Sequence, residues 1–246
     1  MERAFVTEAD GYLVIRSPDN PAFWWGNFLL LAAPPEPGSA ASWLATFGAE
    51  FPEAKHVALG VDSTTPDVLV PADFLDAGLL PERASVMIAA RVREPDWLNH
   101  DAEVRALVSE DDWVQSVELS IRCAEDETVD RDFLDRRAAA RRSVTEEGHG
   151  AWFGAFHDGR LVAQLGLFGT DVGLARFQSV ETDPAARRRG LAGTLLWHAG
   201  RYGLETLGAK ILVIVADPAA EAIRLYRSVG FTDAETQLSL QRSPPE

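Results

Sequence analysis

The residues with the clearest chemical potential form one stretch: Gln178-Ser179-Val180-Glu181-Thr182-Asp183-Pro184-Ala185-Ala186-Arg187-Arg188-Arg189-Gly190-Leu191-Ala192-Gly193-Thr194-Leu195. A strand-like run ends near Asp183, a basic loop follows, and small residues then open a helical pattern. The first amides of a helix lack intrahelical partners, and the macrodipole adds positive potential there. Such a turn can hold a phosphate. Gly190, Ala192 and Gly193 would let a pyrophosphate come close to the backbone. Arg187, Arg188 and Arg189 stand out in a chain with 23 basic and 38 acidic residues and a net charge of −15. A solvated helix start is the other reading of the same three arginines.

Other chemistries lack their residues. A P-loop needs lysine directly after its second glycine, and neither Lys55 nor Lys210 follows a glycine. No G-x-G-x-x-G follows a strand, and no G-x-S-x-G marks a nucleophile elbow. His56, His100, His149, His157 and His198 form no H-E-x-x-H or other ligand spacing, so no metal is expected. Cys123 is the only cysteine, which excludes an intramolecular disulfide and fits a reducing, cytoplasmic compartment. The net negative charge argues against nucleic acid and anionic membranes as partners. The longest apolar runs, such as Phe28 to Ala33, are too short to span a bilayer, and Met1-Glu2-Arg3-Ala4-Phe5 lacks a signal-peptide pattern.

The elements that must position the phosphate turn can be read from the patterning. At 246 residues, 46% hydrophobic and 25% charged, the chain reads as one large or two modest globular domains. The polar stretch Arg93-Glu94-Pro95-Asp96-Trp97-Leu98-Asn99-His100-Asp101 suggests a boundary, with domains over 1–95 and 103–246. In the second, a strand is expected over Glu103–Val108. Ser109 should cap a helix from Glu110 to about Arg122, with Asp112 in the capping-box position. A helix over Arg131–Val144 comes next, then strands Ala151–Phe156, Leu161–Phe168 and Ala175–Thr182, the first two joined by an Asp158-Gly159 turn. Gly190 to about Leu207 is helical, ending at Gly208. Lys210–Ala216 reads as a strand buried on both faces. Pro218 starts a helix to about Val229, and a last strand lies near Thr236–Leu240. The first domain repeats part of this order: strand Gly26–Leu31, helix Ala40–Phe51, strand His56–Val61, and a short helix carrying Phe74-Leu75-Asp76-Ala77-Gly78-Leu79. That segment and Tyr226-Arg227-Ser228-Val229-Gly230-Phe231 share the pattern aromatic, three residues, glycine, apolar, which suggests an internal duplication.

The phosphate turn resembles the acetyl-CoA-binding motif of the GCN5-related N-acetyltransferase (GNAT) superfamily, Gln/Arg-x-x-Gly-x-Gly/Ala, with Arg187, Gly190 and Ala192 at its fixed positions. Downstream, Ala222-Ile223-Arg224-Leu225-Tyr226-Arg227-Ser228-Val229-Gly230-Phe231 resembles the family's later motif, Ala-x-x-Leu-Tyr-x-x-x-Gly-Phe. The resemblance covers roughly Glu103 to Arg242. Over residues 1–95 only the element order agrees, so this half resembles a degenerate copy, as in tandem members. The implied fold is mixed α/β: a tandem GNAT-like acyl-CoA N-acyltransferase fold, each half a mixed central sheet flanked by helices.

The resemblance also implies an activity: N-acetyl transfer from acetyl-CoA to a primary amine by direct attack, an acyltransferase of the EC 2.3.1 type without a metal. The alternative is a non-catalytic acyl-CoA-binding or scaffold protein. The pantetheine arm would lie between strands Ala175–Thr182 and Lys210–Ala216, paired with backbone groups of Val180 and Thr182. Arg187, Arg188, Arg189, Gly190, Leu191, Ala192, Gly193 and Thr194 would hold the pyrophosphate, chiefly through backbone amides. Tyr226 occupies the family's acid position, and a tyrosine with an ordinary pKa near about 10 suits protonation of a thiolate. Packing of helix on sheet is its other reading. Glu181 is the nearest carboxylate for a base, acting through water; a glutamate solvated or ion-paired beside the arginine turn is the alternative. Strand alternation puts Phe177, Ser179 and Glu181 on one side and Gln178, Val180 and Thr182 on the other. His198 reads as a packing or surface residue. Ala219 stands where members often carry Asn, which puts local cofactor contacts in doubt. The acceptor is an unspecified small-molecule or peptide amine, with the acidic surface favouring a cationic one; Phe23-Trp24-Trp25 and Trp152 could cover its pocket or serve as core. Either a monomer or a homodimer is compatible.

Overall fold

The computed structural model describes residues 4–63, 68–124 and 130–243; Met1, Glu2 and Arg3 of the N-terminal segment lie outside the described residues. The chain forms two compact units, one of residues 87–234 and the other of residues 2–86 with 235–246. In chain order the elements are β1 (Phe5–Ala9), β2 (Tyr12–Arg16), β3 (Phe28–Leu31), α1 (Ala40–Glu50), β4 (Val57–Val61), α2 (Ala72–Asp76) and β5 (Leu80–Ala89). Next come β6 (Glu103–Ala106), α3 (Glu110–Cys123), α4 (Arg131–Glu146), β7 (Gly150–His157), β8 (Arg160–Gly169), β9 (Leu174–Thr182), α5 (Leu191–Glu205), β10 (Ile211–Ala216), α6 (Ala222–Ser228) and β11 (Thr232–Arg242).

In the 87–234 unit the strands run β10-β9-β8-β7-β6, antiparallel except for the parallel β9–β10 pair. One face of this sheet packs Leu165, Leu167 and Phe177 against Leu191, Leu195, Leu196 and Ala199 of α5 and Ile223 and Tyr226 of α6. The other packs Trp152, Phe156 and Leu161 against Trp113, Val117 and Leu119 of α3 and Ala138 and Val144 of α4. Both faces are therefore covered, as burial of two apolar sheet surfaces demands. In the other unit, β1, β2 and β3 form an antiparallel meander, β4 joins β3 in parallel, and Leu238–Arg242 of β11 pair antiparallel with Val57–Val61. Its core gathers Val14, Leu29, Leu31, Phe47, Leu59, Phe74 and Leu240.

The two halves share one order of elements. Each has three antiparallel strands, a helix, a strand parallel to the third, a short helix and a last strand. The short helices end alike. Gly78 N–H donates to Leu75 O and Leu79 N–H to Phe74 O; Gly230 N–H donates to Arg227 O and Phe231 N–H to Tyr226 O. Both glycines have positive φ, +77° and +111°, which explains the shared aromatic-x3-glycine-apolar spacing.

Several sequence expectations change. The division into compact units falls at 86/87, and residues 235–246 join the N-terminal unit because β11 completes a ladder with β4. The polar stretch Arg93–Asp101 lies wholly within the 87–234 unit, tied down by Arg93 N–H to Val229 O (2.9 Å) and by Asn99. Strand β10 alternates: Leu212 and Ile214 are buried and their neighbours only partly so. Helix α6 starts at Ala222; before it, Asp217 folds Pro218–Ala220 into a turn by accepting from Ala219 and Ala220 amides. Strands β1, β2 and β5 had no sequence expectation, and Trp24–Gly26 form a 3-10 turn ahead of β3.

The expected start of α3 is present. Ser109 Oγ accepts from the Asp112 amide at 3.1 Å, and Asp112 Oδ2 accepts from the Ser109 amide at 3.0 Å. Arg105 of β6 forks onto the Asp112 carboxylate at 2.7 and 2.8 Å, fixing the helix to the sheet. Hydrogen bonding from Arg105 holds this carboxyl well below the ordinary carboxylate range, against the opposing effect of its burial. A depressed native pKa stabilises the fold above the unfolded value near about 4, and that contribution is lost as pH falls through the native value. Asp112→Asn should therefore cost about 2–3 kcal/mol at pH 7 in urea denaturation and flatten the loss of stability below about pH 4.

Candidate functional site

The arginine turn is built from its two ends. Asp183, 4% exposed, closes β9: its amide donates to Val162 O (2.9 Å), and its carboxylate accepts from Ala185 N–H (3.0 Å), Arg122 Nε (2.7 Å) and Arg160 Nη2 (3.1 Å). Burial pushes this carboxyl up, but the Ala185 amide and the Arg122 and Arg160 guanidiniums outweigh it and hold the group low. The chain then passes through a 3-10 turn, Pro184–Ala186, to Arg188 at φ +62° and Gly190 at φ +76°. Gly190 is the N-cap of α5, and no side chain caps that helix. Arg187 and Arg188 are exposed; Arg187 Nε donates to Thr182 O (3.4 Å) and Arg188 pairs with Glu221 at 3.1 Å. Leu191, Gly193 and Thr194 are buried, while Arg189, Gly190 and Ala192 are half-buried.

Strand β9 carries an irregularity that decides its geometry. Gln164 pairs with Glu181 and Gly166 with Gln178, so β9 spends one more residue than β8 over this interval. Ser179 takes φ +46° there, as a bulge residue. The expected alternation is accordingly broken. Phe177 and Val180 both join the α5/α6 core, whereas Ser179 and Glu181 turn to the α3/α4 face, where Arg141 Nη2 donates to Ser179 Oγ (2.9 Å). Past the bulge, the Asp183 amide bonds to β8, so the peptide groups of Thr182 and Val180 face the β10 side. β10 is paired with β9 only at Leu174–Arg176 with Ile211–Val213; beyond that the strands have no common register. Backbone donors and acceptors of Val180 and Thr182 thus line a divergence between two parallel strands.

The two candidate catalytic residues sit on opposite faces. The Tyr226 ring is buried in the α5/α6 core, 6% exposed, and its hydroxyl has no hydrogen-bond partner among the described residues. Burial raises its pKa, which keeps the phenol protonated. Glu181 is half-buried, and no ion pair reaches it among the described residues. Its Oε2 accepts from Ser120 Oγ (2.8 Å) and Gln164 Nε2 (2.6 Å). Gln164, fully buried, also takes Ser116 Oγ (2.5 Å) and Trp152 Nε1 (2.9 Å) on its Oε1. This network was missed in the sequence, although a glutamine inside the apolar run Leu161–Phe168 was its visible sign. Cys123 lies nearby with its thiol pushed up to about 11 by burial and then by Glu181, which favours the protonated thiol at neutral pH.

The remaining candidates resolve plainly. Trp152 is fully buried beneath Arg141, 4.2 Å from ring centroid to guanidinium carbon, and is core. Trp24 stacks on His56 at 5.2 Å and Trp25 meets Phe28, both inside the N-terminal unit. His198 is exposed against Trp197. The glycines of the turn serve packing. A Cβ at Gly190 would stand 2.9 Å from Trp97 O, and one at Gly193 would touch Leu225 and Pro95 at 3.4 and 3.6 Å. Asn99, unsuspected in the sequence because its surroundings read as a linker, donates from Nδ2 to Arg189 O and from its amide to Thr194 Oγ1, both at 2.8 Å. Among the described residues no group of three or more His, Cys, Asp or Glu is placed to hold a metal, and no helix is long and apolar enough to cross a membrane.

Comparison with known proteins bears on the family and the fold. Residues 111–231 match the model of the acetyltransferase (GNAT) family. Among solved structures, a conserved protein of unknown function from Staphylococcus epidermidis is similar in fold at 12% identity, covering 100% of this chain and 96% of that one, with a TM-score of 0.74. A GCN5-related N-acetyltransferase from Kribbella flavida aligns at 16% identity, 99% and 90% coverage and a TM-score of 0.65. A tandem GNAT protein from the clavulanic acid biosynthesis pathway aligns at 13% identity, 96% and 83% coverage and a TM-score of 0.59. No protein of curated function matches the sequence.

The left-handed Ser179 gives a direct test of the bulge. Ser179→Gly should leave stability within about 1 kcal/mol, whereas Ser179→Val, β-branched at positive φ, should cost about 1–3 kcal/mol in thermal or urea melts. Equal stability of the two variants would show that β9 does not need the bulge.

Proposed function

We propose, from the membership of residues 111–231 in the GNAT acetyltransferase family, that the chain is an acetyl-CoA-dependent N-acetyltransferase acting on a primary amine. The observation that carries this reading is the divergence of β9 from β10 beside an uncapped helix start. The peptide groups of Val180 and Thr182 suit the amides of a pantetheine arm, which would add to β9 like a strand. The amides of Leu191, Ala192 and Gly193 that open α5 suit a pyrophosphate, with Arg187, Arg188 and Arg189 adding charge around it; the expected Thr194 contact is not available, because its amide donates to Gly190 O at 3.0 Å. Acetyl-CoA supplies the activated thioester when bound.

The chain's residues then divide the proton work by face. Tyr226 holds its proton on the α5/α6 side for the departing sulfur, and its buried ring keeps that proton in place. Glu181, steadied by Ser120 and Gln164 on one oxygen, receives the amine's proton through water on the α3/α4 side. The small-molecule or peptide amine approaches from that side. The reaction needs no metal, and its place is cytoplasmic.

The N-terminal half is read as a degenerate copy. Its parallel strands stay paired to their ends, Leu29–Leu31 with Leu59–Val61, and the Asp62 amide continues the ladder onto Leu31 O. No slot opens between them. The start of α1 is taken as well: the Ala40 amide donates to the Asp73 carboxylate at 2.9 Å, where a phosphate would have to sit.

Calorimetric titration tests both halves. Acetyl-CoA should bind with a stoichiometry of one per chain; two sites would sink the degenerate reading, and no micromolar binding would sink the acetyl-CoA reading. Ala192→Glu is the informative variant, because a carboxylate in the first turn suits the helix but repels a pyrophosphate. It should keep or raise the melting temperature while weakening acetyl-CoA at least about tenfold. Tyr226→Phe should lower kcat by about 10²–10⁴-fold with acetyl-CoA affinity nearly unchanged. A protein that binds acetyl-CoA yet turns over no amine would be the non-catalytic acyl-CoA-binding module.

A further inference from the structure

Trp97 is the only exposed tryptophan of the seven, with 68% of its surface open. Its backbone is nonetheless held firmly. Pro95 rests beside Gly193, the Trp97 carbonyl stands against Gly190, and Asn99 bonds Arg189 O and Thr194 Oγ1. Asn99 Oδ1 further accepts from the Asp101 and Ala102 amides at 3.1 and 2.9 Å. A large aromatic side chain is thus presented to solvent by a fixed segment next to the first turn of α5.

Resting on the acetyl-CoA reading of that turn, we propose that Trp97 is the stacking platform for the adenine ring of the cofactor. The charges around it select the base rather than a phosphate. Trp97 comes directly after the exposed carboxylate of Asp96, which repels phosphate, while Arg187 and Arg188, exposed in the turn before α5, attract it. An uncharged fused ring is the part of a nucleotide thioester that can lie against Trp97. Stacking on an aromatic face needs no hydrogen-bond donor in the segment, and every purine offers such a face.

The experiment is calorimetry on the full chain with two probes, acetyl-CoA and adenosine 3′,5′-bisphosphate, beside turnover of a nucleotide-free acetyl thioester. Trp97→Ala should weaken both nucleotide probes about tenfold or more, Trp97→Leu should weaken them nearly as much, and Trp97→Phe should stay within about threefold of the parent. Turnover of the nucleotide-free thioester should be unchanged in all three. Equal acetyl-CoA affinity in Trp97→Ala and the parent would overturn the stacking role and leave the acetyl-CoA reading intact. A leucine variant that binds as well as the phenylalanine one would reduce Trp97 to a bulky neighbour and overturn stacking. If the parent itself binds no acetyl-CoA, the cofactor reading fails first and the platform with it.

Discussion

Everything in the candidate site depends on one extra residue in β9. With Ser179 inserted opposite β8, the strand cannot keep both of its neighbours in register. It keeps β8 and loses β10. The loss is what turns the peptide groups of Val180 and Thr182 toward an open side, where a buried strand would have spent them on a ladder. The same residue reverses the facing of the next two positions, so that Glu181 reaches the Gln164 network while Val180 goes to the core that contains Tyr226. A regular strand would have kept Phe177 and Glu181 on one face. Arg141 steadies the bulge through Ser179 Oγ, and α4 is thereby tied to the point on which the site turns.

The N-terminal half shows what the same elements do without that residue. Its strand-helix-strand unit is closed to the tip, and Asp73 supplies its own anion to α1. The short helices end with the same pair of hydrogen bonds in both halves, so the difference is confined to the strand divergence and the helix start. Those are the two places where a ligand needs backbone that the fold leaves unsatisfied. Folding of each repeat therefore rests on apolar burial and short-helix termination, while the strand divergence is a local irregularity that folding does not require.

The sequence was legible where local chemistry sets the structure. The capping box at Ser109 and Asp112, the Asp158-Gly159 turn and the helix opened by Gly190 each depend on a few neighbouring residues, and the strands β7 to β10 on apolar runs. It was not legible where distant partners decide. The bulge has no mark, since serine is an ordinary strand residue and only the mismatch with β8 reveals it. The N-terminal hairpin of β1 and β2 lacks a strong apolar alternation because its first strand is largely exposed. The pairing of β11 with β4 joins residues far apart in the chain, and no local pattern announces it. The stretch Arg93–Asp101 is polar and proline-containing, which is how linkers look, yet its backbone amides are spent on Val229 and Thr194 and the Asn99 side chain on Arg189.

The glycines at the start of α5 and within it answer to packing. Gly190, Gly193 and Gly200 lie on one side of the helix at spacings of three and seven, and each faces the segment that passes over it: Trp97, Pro95 and Val92 in turn. Added carbons at Gly190 and Gly200 would meet Trp97 O at 2.9 Å and Val92 at 2.5 Å, so these two positions need glycine to admit a neighbouring chain. Gly193 merely touches its neighbours and would tolerate more. On the proposed reading, phosphate binding at the turn would owe less to missing side chains than to the helix-opening amides, which the N-cap side chain leaves uncapped. Small residues bring segment 92–99 in against α5, and that segment fixes the start of the helix through Asn99. On the proposed reading, anion recognition in this half would follow from how the helix is clamped from behind.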